Sequence, residues 1–112
     1  MKRLMPALLR IGCLYCFSAS VVAGEVQVAV ASNFSKPMTE IATLFREQTG
    51  HEAKLSFGSS GKFTAQIRYG APFEVLLSAD TDKPAVLIKN GLADPASVFT
   101  YAQGALALWS AN

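Results

Sequence analysis

Two serines stand where an extended run gives way to a helical one, Ser32 in Val30-Ala31-Ser32-Asn33 and Ser60 in Gly58-Ser59-Ser60-Gly61. The first N–H groups of a helix have no intrahelical acceptor, and the helix dipole puts partial positive charge there. A small anion can therefore be held without Lys or Arg. A hydroxyl adds one more donor, and Gly58 and Gly61 let the backbone come close. The chemistry that this set suits is oxyanion capture by Ser32 and Ser60. The commoner duty of a serine before a helix is N-capping, and spacing alone leaves both roles open.

Other chemistries find less support. Gly61-Lys62 suggests a phosphate loop, but that motif needs Gly where Ser56 stands and Ser or Thr where Phe63 stands, so Lys62 reads as a solvated first-turn residue. A serine-dependent enzyme would need a base beside Ser32 or Ser60. The single His51 follows Gly50, at the far end of the first predicted helix from Ser32, where a polar turn residue is expected. Asp80 and Asp82, two apart at a helix start, suit capping. No His, Cys or carboxylate cluster has metal-ligand spacing. The expectation is a binding protein, not an enzyme.

The elements that must position these residues alternate. Val26 to Ala31 is a strand. Met38, Ile41, Ala42 and Phe45 then form one helical face, with Pro37 in the first turn and Gly50 as the stop. Lys54 to Phe57 predicts a second strand, Gly58 to Gly61 a turn, and Lys62 to Tyr69 a helix ending at Gly70. Phe73 to Ser78 predicts a third strand, and a third helix begins near Asp82 and ends before Gly91. Val98 to Ala102 and Ala105 to Trp109 read as two further strands. This order predicts an α/β fold with a mainly parallel sheet, whose ligands sit beyond the carboxyl ends of the strands. Those ends are Ser32-Asn33, Gly58 to Gly61 and Ser78-Ala79-Asp80.

Residues 1–24 read differently from the rest. A basic start, Met1-Lys2-Arg3, precedes an apolar stretch and the small residues Val21-Val22-Ala23-Gly24, the order of a secretory signal peptide cut after Ala23 or Gly24. Pro6 and Arg10 interrupt the stretch as a membrane anchor. Arg10-Ile11-Gly12-Cys13 lacks the apolar residue that a lipidation site carries three before its cysteine. Cys13 and Cys16 have redox spacing but fall within the segment to be removed. The 112 residues are 51% hydrophobic and 16% charged, which suits a packed domain rather than a disordered tail. Ten basic groups against eight acidic give +2; three of the ten precede Glu25, so residues 25–112 carry −1. No nucleic-acid partner is expected from that charge.

Several ordered blocks carry a family resemblance: Val30-Ala31-Ser32-Asn33-Phe34, Ser56-Phe57-Gly58-Ser59-Ser60-Gly61-Lys62, Gly70-Ala71-Pro72-Phe73-Glu74-Val75, Leu77-Ser78-Ala79-Asp80 and Phe99-Thr100-Tyr101-Ala102-Gln103-Gly104. In this order they resemble the periplasmic molybdate-binding proteins of ABC importers. The resemblance implies a periplasmic-binding-protein-like type II fold, two lobes closing on molybdate or tungstate. Residues 25–112 would be its first lobe, with the second lobe absent from this chain. It also implies molybdenum bound as molybdate through Ser32 and Ser60, with supporting backbone near Asn33, Ser59 and Gly61. No cofactor is implied. The expected partner is a membrane permease, and the expected form a periplasmic monomer. Sulfate or phosphonate remains an alternative ligand, and a nonbinding truncated remnant an alternative outcome.

Overall fold

Residues 22–111 are described in a computed structural model of the chain. The first 21 residues of the predicted secretory segment, with Cys13 and Cys16, lie outside the described residues. Three strands, β1 (Glu25–Ala31), β2 (Glu52–Gly58) and β3 (Val75–Leu77), alternate with three helices, α1 (Ser35–Thr49), α2 (Ser60–Arg68) and α3 (Asp82–Lys89). Single 3-10 turns occupy Ser32–Phe34 and Pro95–Ser97. The sheet order is β2-β1-β3 with both pairings parallel, as the alternating pattern predicts.

The core centres on β1. Val28, Ala29, Val30 and Ala31 are all buried. Successive strand residues point to opposite faces, so β1 is covered on both. Phe63 of α2 and Leu87 of α3 complete the buried apolar set. Phe63 meets Phe73 edge-on, ring centroids 5.3 Å apart, a favoured arrangement of aromatic quadrupoles. Helix α1 forms where predicted and half-buries Met38, Ala42 and Phe45 of the expected face, while Ile41 stays exposed. It stops at Gly50, whose φ of 73° is left-handed and whose N–H reaches the Arg46 carbonyl. A glycine takes that conformation with no steric penalty, which is why it ends the helix. His51 is a turn residue, as expected: its Nδ1 accepts the Gly24 amide at 2.9 Å and tethers the start of β1.

Strand β3 is shorter than the predicted Phe73 to Ser78. Phe73 is drawn toward Phe63, and Glu74 receives the Gln27 amide with its carboxylate at 2.8 Å, so the β1–β3 register begins at Val28 opposite Val75. The strands expected at Val98 to Ala102 and Ala105 to Trp109 do not form; these residues have no regular structure. A strand exists only against a neighbouring backbone, and among the described residues these segments pair with neither outer edge of the β2-β1-β3 sheet. Leu106, Leu108 and Trp109 are accordingly 105%, 104% and 82% exposed.

Candidate functional site

The carboxyl ends of the strands open on a cleft of about 430 Å³. Ser32 and Asn33 line it from the turn after β1; Gly58, Ser59, Ser60 and Gly61 from the β2–α2 junction; Ala79 and Asp80 from the segment after β3. Residues distant in sequence but singled out by their types thus share one space. None of the lining residues is Lys or Arg. Lys62, which a phosphate-loop reading would have needed, is exposed outside it.

The two serines of the Gly58 to Gly61 turn divide the work. Ser59 is the N-cap of α2: its backbone is extended and its Oγ accepts the Lys62 amide at 3.2 Å. That bond satisfies one of the helix's orphan donors. Ser60 is the first helical residue and does not cap. Its buried Oγ instead accepts the Ala79 amide at 2.9 Å. A hydroxyl has one hydrogen to give. The Ser60 hydrogen has no acceptor among the described residues, so it remains available as a donor at the cleft. The amides of Ser60 and Gly61 likewise meet no protein acceptor among the described residues, as expected for a helix start.

Ser32 opens the 3-10 turn, exposed, and its side chain makes no capping bond. Gly58 has a packing reason to lack a side chain, since a Cβ there would lie 3.2 Å from the Phe63 ring. Asp80 brings negative charge to the cleft, but the carboxylate is engaged. Oδ1 accepts the Lys83 amide at 3.0 Å, and Oδ2 lies 3.7 Å from Lys83 Nζ. That amide first, and the Lys83 ammonium with it, hold Asp80 below the usual carboxylate range, because both favour the charged form. Asp80 thus caps the first turn of α3, as its spacing suggests, while Asp82 sits within that turn.

Three contributors escape sequence reading. Ala79 acts through its amide alone, for which residue type carries no signal. Lys83 was findable in principle from the Asp-x-x-Lys spacing at a helix start. Tyr101 donates its hydroxyl to the Ser78 carbonyl at 2.8 Å and packs edge-on against Phe34, centroids 5.0 Å apart. It lies in a segment read as a strand.

Comparison with known proteins converges on one family. A molybdate-binding protein ModA of Rhodobacter capsulatus is 56% identical over 90 residues, 80% of this chain and 36% of that protein. A ModA of Azotobacter vinelandii is 50% identical over 112 residues, all of this chain and 43% of its own length. The solved structure of an Azotobacter vinelandii periplasmic molybdate-binding protein superposes with a TM-score of 0.66 at 45% identity, covering 68% of this chain and 33% of that one. The chain therefore spans about two fifths of the length of the curated relatives it matches. The family model for bacterial extracellular solute-binding proteins fits from Val26, the second residue of β1, through residue 112, and to that family the chain belongs.

Proposed function

We propose that this chain is the first-lobe part of a periplasmic solute-binding protein that captures molybdate, or tungstate, for an ABC importer. The observation that carries the reading is the Ser60 hydroxyl, fixed as an acceptor by Ala79 N–H and left with its hydrogen as a donor beside the start of α2. The molybdate-binding relatives support the ligand class. In this reading Ser32 and Ser60 donate hydroxyl hydrogens to the oxyanion. Backbone near Asn33, Ser59 and Gly61 supplies further donors.

Each such bond is charge-assisted, because the acceptor is an anion and the donors are neutral. Donors set by packed elements fix the size of the shell, and an oxyanion of the wrong size leaves some of them unpaired at a cost of about 1–3 kcal/mol each. No Lys or Arg lines the cleft, and Lys83, which borders it beside Gly61, is paired with Asp80; neutral donors of this kind favour a small inorganic oxyanion over a carboxylate or phosphonate ligand. The mechanism is capture and release, with no covalent step. Residues 1–24 direct export, and the loaded protein, a monomer, meets a membrane permease.

Calorimetric titration of the longest expressed product carrying this sequence, with molybdate, tungstate and sulfate, tests the reading. Preference for molybdate or tungstate over sulfate is expected. Binding of none of the three, or tighter sulfate binding, would reject it.

A further inference from the structure

The carbonyl of Ser78 and the amide N–H of Ala79 belong to one trans peptide plane, in which the two groups point in opposite directions. Tyr101 Oη donates to the carbonyl end at 2.8 Å, and the amide end donates to Ser60 Oγ at 2.9 Å. We infer that Tyr101 is a positioning residue for the cleft: through the Ser78–Ala79 peptide it orients and polarises the Ser60 hydroxyl, and through Phe34 it braces the turn that carries Ser32.

The geometry makes a directional chain. Donation to the Ser78 carbonyl polarises the amide and strengthens Ala79 N–H as a donor. Receiving that bond in turn makes the Ser60 O–H a better donor. The chain ends on the Ser60 hydroxyl, which lines the cleft and whose hydrogen meets no acceptor among the described residues, so an anion there can take it. A phenol keeps its hydrogen at neutral pH, and burial pushes the Tyr101 hydroxyl further up from its ordinary value of 10.0. Phe34 lies two residues after Ser32, so its edge-on contact with the Tyr101 ring links the second donor segment to the same side chain. One residue from an irregular segment thus touches the turn that carries Ser32 and the peptide whose amide holds the Ser60 hydroxyl. Its part in anion binding rests on the function proposed above; its effect on Ser60 does not.

The test uses the longest expressed product, as wild type and as Tyr101→Phe, with two readouts. Without ligand, nuclear magnetic resonance follows the Ala79 amide proton. Removal of the hydroxyl is expected to shift it upfield and speed its exchange, while the ring contact with Phe34 persists. With ligand, calorimetry is expected to give oxyanion affinity about three- to tenfold weaker, the range for one net hydrogen bond. Site-specific 3-fluorotyrosine at position 101, a stronger donor of nearly the same shape, should move the Ala79 proton downfield. It keeps the question answerable if the phenylalanine variant folds poorly. An Ala79 amide unmoved in both variants overturns the inference. So does wild-type oxyanion binding that Tyr101→Phe leaves unchanged. A wild type that binds no oxyanion overturns the functional reading instead, and is recognised without reference to Tyr101.

Discussion

Ser60 Oγ accepts the amide of Ala79 at 2.9 Å across 19 residues of chain, joining the first turn of α2 to the segment that leaves β3. A single bond thus sets the rotamer of a buried hydroxyl and the path of the opposite cleft wall. Ser60→Ala removes the acceptor for Ala79 and the donor for an anion together. Oxyanion affinity should fall about tenfold to a hundredfold, the equivalent of a hydrogen bond to a charged group, and stability by about 1 kcal/mol. Calorimetry and urea unfolding measure the two losses separately.

Ser59 holds the other position, its Oγ capping Lys62 N–H. Loss of an N-cap hydroxyl in Ser59→Ala should lower stability by about 0.5–2 kcal/mol. Ser59→Asp restores a capping acceptor but adds a negative charge to the cleft lining. Thermal unfolding should then return toward wild type while oxyanion affinity drops by about tenfold or more, since like charges at close range repel by about 1–4 kcal/mol. Recovery of both properties in the aspartate variant would argue against an anion at this helix start.

Gly58→Ala tests how tightly the cleft is backed by the core. The new Cβ would lie 3.2 Å from two ring atoms of Phe63, which is buried and held edge-on by Phe73. The ring has little room to retreat, so overpacking should cost about 1–3 kcal/mol in denaturant unfolding. A variant as stable as wild type would mean that Phe63 moves freely.

Asp80 predicts an acid limb. Its folded value lies below the ordinary 3.8. The stability it contributes is therefore present above the unfolded value and is lost as the pH falls through the lower folded one. Asp80→Asn should flatten that limb in thermal unfolding followed against pH. At neutral pH the same variant removes negative charge from the cleft lining and releases Lys83. Oxyanion affinity should rise by about two- to fivefold at low ionic strength, and the gain should shrink with added salt. Equal affinity in both proteins at low salt would count against an anion near Asp80.

The alternation of strand and helix was legible in the residues because local rules decide it. Val26 to Ala31 carries a strand composition, Met38 to Phe45 a helical face, and Gly50 a stop that only its backbone freedom fits well. The same rules marked Ser32 and the Gly58 to Gly61 turn as donors, and a parallel sheet brings the carboxyl ends of β1 and β2 side by side through the pairing of Ala31 with Gly58. Apolar alternation from Val98 to Trp109 misled, because a strand is a relationship between two backbones and alternation reports only one.

From Val26 to Lys89, local conformation was thus written in the chain: which segments extend, which coil, and that neutral donors gather at their junctions. The division of labour between Ser59 and Ser60 came from packing, because both have the same side chain and only the approach of Ala79 distinguishes them. Packing also brought Tyr101 to Ser78. Hydrogen bonds between residues 19 and 23 positions apart depend on how elements meet in space, and no local propensity encodes them.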